Sequence, residues 1–278
     1  MLKDVVSPED LKYVPSSFDI IGSREGAVAV VEIPEGGEHL KELIARAIMS
    51  RHRNVRTVLA KKSGRKGVYR VREYELVAGD PNTEVVHKEH GIRLKLDVTK
   101  VYFSPREATE RLRVARQVKP GEVVMVMFAG VGPYALMIAK VQPRVRKVIA
   151  IEINPDAYRY MVENVRLNKV EDKVVPVLGD VRDKAPEWYG MCDRVVMPLP
   201  KGAYLFLGEA FQCLKPEGGY VHFYHWAHES ELYVQAYRHL ELHSWLYGMS
   251  LKVLGARKVS PYAPRVYKVC LDIELKPR

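Results

Sequence analysis

Gly130, Gly132 and Ala135 stand in the order G-x-G-x-x-A within "MFAGVGPYAL" (127–136), after the apolar run "EVVMVMF" and at the start of a stretch with helical spacing. Small residues at a strand-to-helix junction let the backbone approach a ligand closely, and the free N–H groups of the helix start attract acceptor atoms. Glu152 closes the next apolar run, "KVIAIEI", where a carboxylate accepts hydrogen bonds from a ribose diol. The turn and the acid together point to an adenosine-containing cofactor, with Phe128, Ala129 and Ile153 flanking it. They do not choose between a nicotinamide dinucleotide and S-adenosylmethionine (AdoMet). Glu152 also suits the cap of the helix that begins at Pro155.

The next strand ends make the choice. Gly179-Asp180-Val181 places an acid where it can meet an adenine amino group. Pro198-Leu199-Pro200-Lys201 follows the strand after it, at the place where AdoMet enzymes acting on a base nitrogen carry a proline-containing loop. A nicotinamide enzyme needs neither. Asp180 equally fits the N-cap of a short helix, and the prolines equally end a strand. The succession of these features at consecutive strand ends favours a ligand crevice.

To bring them together, the chain needs a sheet whose strands end on one edge. From about residue 100 apolar runs alternate with helical patterns: a helix over "EATERLRVARQV", a strand "EVVMVMF", a helix from Pro133, a strand "KVIAIEI", a helix "PDAYRYMVENVRLNKV", and strands "VVPVLGD" and "DRVVMPLP". A helix "AYLFLGEAFQCL", a strand "YVHFYHW", a helix around "ELYVQAYRHLELHSWLYGMSL" and a last strand "VYKVCLDIEL" complete the series. This predicts an α/β fold with a Rossmann-like, doubly wound sheet over residues 96–278. Before it, "AVAVVEIP", "EHLKELIARAIM" and "VRTVLAKK" read as strand, helix and strand, then a turn "KSGRKG" and a hairpin region, so residues 1–95 form a small α/β domain.

With 278 residues, 47% hydrophobic and 28% charged, the chain has the composition of a globular protein. It shows no apolar stretch long enough to span a bilayer, and "MLKDVVSPED" has no signal-peptide pattern, so a cytoplasmic protein without membrane attachment is expected. Cys192, Cys213 and Cys270 are widely spaced and outside any C-x-x-C pair, which predicts core thiols. His222, His225 and His228 in "HFYHWAH" are read as surface or core residues across a strand end, and no metal is expected. The net charge of +10 is concentrated: between Arg46 and Arg72 lie ten Lys or Arg and no acid. Without internal counter-charges this strip, with Arg53, Arg56, Lys61, Lys62, Arg65, Lys66 and Arg70, predicts a polyanion surface.

At this point the sequence resembles the archaeal and eukaryal tRNA (guanine-37-N1) methyltransferases and the related wybutosine-pathway tRNA enzymes. The likeness is carried by "VYRVREYELVAG" (68–79), "KVYFSPREATERLRVARQV" (100–118), "MFAGVGPYAL", "IEINPDAYRYMVENVRLNKVEDKV" (151–174), "GDVRD" (179–183), "DRVVMPLPKGAYLFL" (193–207) and "SPYAPRVYKVCLDIEL" (260–275). It implies a class I AdoMet fold and methyl transfer to N1 of the guanosine 3′ of the anticodon, with the anticodon stem-loop of tRNA as partner. It further implies that Glu110 is the general base, that Arg70 meets the guanine O6, that Arg111 orients Glu110 or touches cofactor, and that Phe103 and Val181 line the cofactor site. Lys201 and Arg265 become RNA contacts, and Pro198 belongs to both the catalytic loop and the cofactor site. A plainer use of Glu110 is a surface i, i+3 ion pair with Arg113. The chain departs from the family pattern at Val126, where an acid is usual, and at Pro198, where Asn is usual. Three other activities fit the same motifs: transfer of the aminocarboxypropyl group of AdoMet, methylation of the wyosine precursor, and RNA binding without catalysis.

Overall fold

The computed structural model describes residues 6–64 and 67–278, and it divides into two compact units, Met1–Arg106 and Glu107–Arg278. In the first unit β1 (Phe18–Ser23), β2 (Gly26–Val31), α1 (Lys41–Arg51), β3 (Val55–Lys61) and β4 (Tyr74–Gly79) build a mixed four-stranded sheet in the order β1-β2-β3-β4. β5 (Glu84–Glu89) and β6 (Ile92–Asp97) form a separate hairpin. Ile44, Ala45 and Ile48 of α1 are buried with Ala27, Ala29 and Val31 of β2 and Val55, Val58 and Ala60 of β3. Ile44, Ala45 and Ile48, at helical spacing, form the core face of this helix. β1 was not anticipated; "FDIIGS" is half-buried, without the alternation that marks a strand.

The first unit runs past the expected division after residue 95. Val98 and Val101 are buried, and Arg106 Nε pairs with Asp19 of β1 at 2.5 Å, which ties this stretch to the first sheet.

The second unit contains α2 (Ala108–Ala115), β7 (Val123–Val126), α3 (Pro133–Val141), β8 (Lys147–Glu152), α4 (Pro155–Leu167), β9 (Val174–Leu178), α5 (Val181–Lys184), β10 (Arg194–Met197), α6 (Leu207–Cys213), β11 (Gly219–His228), α7 (Val234–Leu246), β12 (Met249–Ala263) and β13 (Val266–Pro277). Its seven strands lie in the order β12-β13-β11-β10-β7-β8-β9. β9, β8, β7, β10 and β11 are parallel, and β13 and β12 add on as antiparallel strands. Met125 aligns with Ile149 on one side and Val195 on the other, inside an apolar layer shared with Met197, Val221 and Phe223. Such continuous apolar strands belong to a sheet covered on both faces.

Sequence order reverses between β7 and β10, so the crevice of this doubly wound sheet lies at their carboxyl ends. β12 was not anticipated: the helical reading ran to Leu251, whereas α7 stops at Leu246 and Gly248, at φ +64°, turns the chain into a 15-residue edge strand. Among the described residues no helix is long and apolar enough to cross a membrane.

Candidate functional site

The turn after β7 is held in a conformation few sequences adopt. Phe128, Gly130 and Gly132 have φ of +57°, +59° and +90°. Gly132 starts α3 with Pro133 at its first position, and a Cβ on Gly132 would stand 3.0 Å from Met161 Cγ of α4. Glu152 braces the turn: Oε2 accepts from Gly130 N at 2.6 Å and Oε1 from Asn154 N at 2.8 Å. Burial raises the pKa of Glu152, opposed by the Asn154 and Gly130 N–H groups. The Ile153 N–H is a third donor to this carboxylate, so of its roughly four lone-pair sites one remains for a further donor. Glu152 does not cap α4; Asn154 does, accepting from Asp156 N at 3.0 Å.

Phe128 packs edge-on against Phe206, with ring centroids 4.9 Å apart. Ala129 is buried and Ile153 half-buried at the same strand ends. Asp180 caps α5, accepting from Arg182 N at 2.8 Å, and buried Val181 follows it. The capping use and the ligand use are compatible, because the carboxylate is partly exposed and its Oδ2 stands 3.9 Å from Arg182 Nη1, beyond hydrogen-bond distance. Val126 is fully buried in β7 between Ala150 and Val196.

Glu110 lies in the first turn of α2 and is 5% exposed. Its ion pair with Arg113 exists but is not on the surface. Arg113 Nε donates to Oε2 and Nη2 to Oε1, each at 2.8 Å. Tyr224 of β11 adds its hydroxyl to Oε1 at 2.6 Å, and Tyr134 of α3 donates to Tyr224 at 3.1 Å. Burial pushes both phenols well above their ordinary pKa, so Tyr224 remains a donor. Three donors on two oxygens describe a carboxylate kept as an acceptor. Arg111, 2% exposed, is a neighbour on the same helix.

Lys268 of β13 is 1% exposed and pairs with Glu107 at 2.9 Å. Its ammonium stands 4.7 Å from the centroid of the Tyr224 ring and 3.4 Å from the Pro198 carbonyl oxygen, which fixes the loop after β10. Lys201 is exposed in that loop. Neither Tyr224, Lys268 nor Asp272 was anticipated; in the sequence Lys268 and Asp272 share with Glu274 and Lys276 the polar face of an alternating strand, which gives no sign that the first two are buried.

All three histidines in question lie within β11, not across its end. His222 is buried, His225 stacks on Phe223 with centroids 6.1 Å apart, and exposed His228 receives the Ser230 N–H. His222, Cys270 and Asp272 bring ligand atoms within 4.8 Å of one another. Those atoms already have cationic neighbours, since Arg113 contacts Cys270 and Asp272 and Arg194 contacts His222.

In the first unit Arg70 adopts φ +55° and stands 5.6 Å from the centroid of the Tyr102 ring. It lines a small cleft with Phe103, Tyr102 and Ile21, and Phe103 packs on His87. The basic strip is less bare than its sequence. Lys61 pairs with Glu32 at 3.0 Å, Arg46 with Glu42 at 3.4 Å, and Arg56 donates to the Glu84 carbonyl. Arg53 and Lys62 are exposed, whereas Arg65 and Lys66 lie outside the described residues. In the second unit Arg265 is exposed but pairs with Glu229 at 2.6 Å.

Residues 85–250 match the TRM5/TYW2 methyltransferase domain and residues 1–83 the TYW2 N-terminal domain. The chain belongs to the TRM5/TYW2 methyltransferase family. It is 44% identical over 269 residues to the tRNA (guanine(37)-N(1))-methyltransferase Trm5b of Pyrococcus abyssi, covering 96% of this chain and 78% of that one. It is 35% identical to the tRNA(Phe) (4-demethylwyosine(37)-C(7)) aminocarboxypropyltransferase of Pyrococcus horikoshii, covering 96% and 92%. The complex structure of aTrm5 and tRNALeu superposes with a TM-score of 0.84 at 34% identity, covering 98% of this chain and 76% of that one. As a member of the TRM5/TYW2 family, the chain fits the family's donor on its own geometry: a side-chain-free turn at Gly132 and a buried carboxylate with open acceptor capacity stand at adjacent strand ends.

Proposed function

We propose that the chain transfers a methyl group from AdoMet to N1 of guanosine 37 in tRNA. The observation that carries this reading is the hydrogen-bonded line from Tyr134, in the first turn of the helix the glycine turn opens, through Tyr224 to Glu110. It ties the donor-binding helix to a carboxylate kept as an acceptor. The similarity to the Pyrococcus abyssi enzyme supports the reaction and the tRNA position.

N1 of neutral guanine carries a hydrogen, so a base must remove it while negative charge spreads to O6. Glu110 takes that proton, and Arg70 offers its guanidinium to O6. Arg113 and Tyr224 hold the Glu110 side chain in one rotamer. Pro198 offers a carbonyl, not an amide, to the target base. Gly130, Gly132, Phe128, Ala129, Glu152, Ile153, Asp180 and Val181 hold AdoMet, with Arg111 and Phe103 as further lining, and the donor supplies an electrophilic methyl group. Arg53, Lys62 and Lys201, exposed and basic, engage the anticodon stem-loop in the cytoplasm. The target base leaves its stack to reach Glu110.

The test is incubation of an unmodified tRNA transcript with labelled AdoMet, followed by nucleoside mass spectrometry. A 1-methylguanosine product is expected; an unmodified transcript would sink the reading. One observation favours a second reading, transfer of the aminocarboxypropyl group to a wyosine precursor: residues 1–83 match the TYW2 N-terminal domain, and the chain is 35% identical to the aminocarboxypropyltransferase of Pyrococcus horikoshii. The same spectrum, taken on precursor-bearing tRNA, separates the two by the mass of the group added.

A further inference from the structure

Glu110 is one end of a buried line of charges. Arg113 grips Glu110 with one edge of its guanidinium and Asp272 of β13 with another, through Nη2 to Oδ1 at 3.1 Å and Nη1 to Oδ2. His222 Nδ1 lies 2.6 Å from Asp272 Oδ1, and His222 Nε2 lies 2.8 Å from Arg194 Nη1. Arg194 in turn holds Glu122 with two bonds of 2.8 and 3.0 Å and the Gln117 carbonyl with one of 2.9 Å.

Because a guanidinium only donates, His222 Nε2 must accept, which leaves its proton on Nδ1 and makes it a donor to Asp272. Burial favours the same neutral imidazole, since it pulls the His222 pKa down against the Asp272 carboxylate. Asp272 stays ionised: burial would raise its pKa, but the bonds from His222 and Arg113 bring it far below the carboxylate range.

We infer that Arg113 and Asp272 form a positioning and tuning pair for Glu110, in which Arg113 fixes the carboxylate and Asp272 draws off part of the guanidinium charge. This rests on Glu110 being the base. A lone buried Arg beside Glu110 would hold the carboxylate so firmly that its basicity would fall. A second carboxylate on the far edge of the same guanidinium shares its charge without loosening the grip. Burying such a triad is costly compared with apolar packing, so stability alone gives no reason for it. The titratable and charged groups around Glu110 are Glu107 just before α2, Arg111 and Arg113 on α2, Tyr134 on α3, His222 and Tyr224 on β11, and Lys268, Cys270 and Asp272 on β13. Of these, Arg113 touches both the Glu110 and the Asp272 carboxylates.

The experiment is the pH dependence of single-turnover methyl transfer, with AdoMet affinity by calorimetry and melting temperature measured on every variant. Asp272→Asn leaves the full Arg113 charge on Glu110. Its acid limb is expected to move down by about one pH unit, with a plateau rate roughly tenfold lower. Arg113→Met removes the cation, so its acid limb moves up. Arg113→Lys keeps the charge but not the fork, so its limb stays near that of the parent while its plateau falls. Should Arg113→Met fail to fold, Asp272→Asn and Arg113→Lys decide. An unmoved acid limb in Asp272→Asn, with only the melting temperature lowered, overturns the inference. Glu110→Gln in the same assay separates the two claims: full turnover there rejects the base, whereas a dead Glu110→Gln beside unmoved limbs rejects only the tuning pair.

Discussion

Glu110 shows how the meaning of a residue depends on what surrounds it. In the sequence it and Arg113 are one of many i, i+3 pairs, which on a surface contribute little. Buried with Tyr224, the same pair becomes a fixed acceptor. Glu110→Gln is therefore expected to bind AdoMet as the parent does, while turnover falls about a hundredfold or more. Asp180→Ala should do the reverse, weakening AdoMet binding with turnover at saturation largely kept, and should cost about 1 kcal/mol through the lost cap on α5. Gly132→Ala meets both a left-handed φ and the Met161 side chain, so a loss of about 1–2 kcal/mol in stability together with weaker donor binding is expected by melting and calorimetry. His222 adds a pH signature. Its folded pKa is lowered by burial, so the unfolded chain binds more protons below its own value of about 6.5. Its contribution to stability is complete above that pH and is lost as the pH falls toward the folded value. Melting temperatures should drop on going from neutral to mildly acidic buffer, and His222→Gln should flatten that slope.

Among the elements, β7, β8, β10 and β11 were legible because strands buried on both faces are near-continuous apolar runs, and α4 because Pro155 at its start and its periodicity agree. β12 was not. It is an edge strand with register shifts near Gly255, Ser260 and Ala263, mostly exposed and carrying Lys252, Arg257 and Lys258, all of which keep an edge from pairing further and erase the alternation a reader looks for. Its place in the sheet follows from β13, which it covers. The turn that starts β11 is the tightest test of this part of the fold. Gly218 has φ +95°, and a Cβ there would come 2.0 Å from the Leu275 carbonyl oxygen on β13. Gly218→Ala is expected to cut the melting temperature by more than Gly132→Ala, because backbone on both sides must shift. Equal melting curves for the two variants would contradict that ranking.

For the chain as a unit, charge is the property that reaches a polyanion first. Phosphate contacts release counterions, so tRNA affinity should fall steeply with salt. Cations already paired within the fold should matter less than exposed ones. Arg53→Ala is expected to reduce the salt slope more than Lys61→Ala, whose ammonium sits on Glu32, and filter binding over a salt series checks the order. Net charge, the order of strand-end motifs and the glycine turn were readable in advance, because each depends on residue type and local spacing. Of the partners of Glu110, Arg113 was readable as an i, i+3 pair and Tyr224 was not. Tyr224 stands 114 positions beyond Glu110, and Tyr134 and Asp272, which reach it through Tyr224 and Arg113, stand 24 and 162 beyond; a buried hydrogen bond between distant elements leaves no periodic mark in a sequence. Nor did the basic strip reveal that Glu32, from the neighbouring strand region, neutralises one of its members. Local chemistry set which groups were present; folding chose which of them would meet, since burial and pairing are properties of the packed chain.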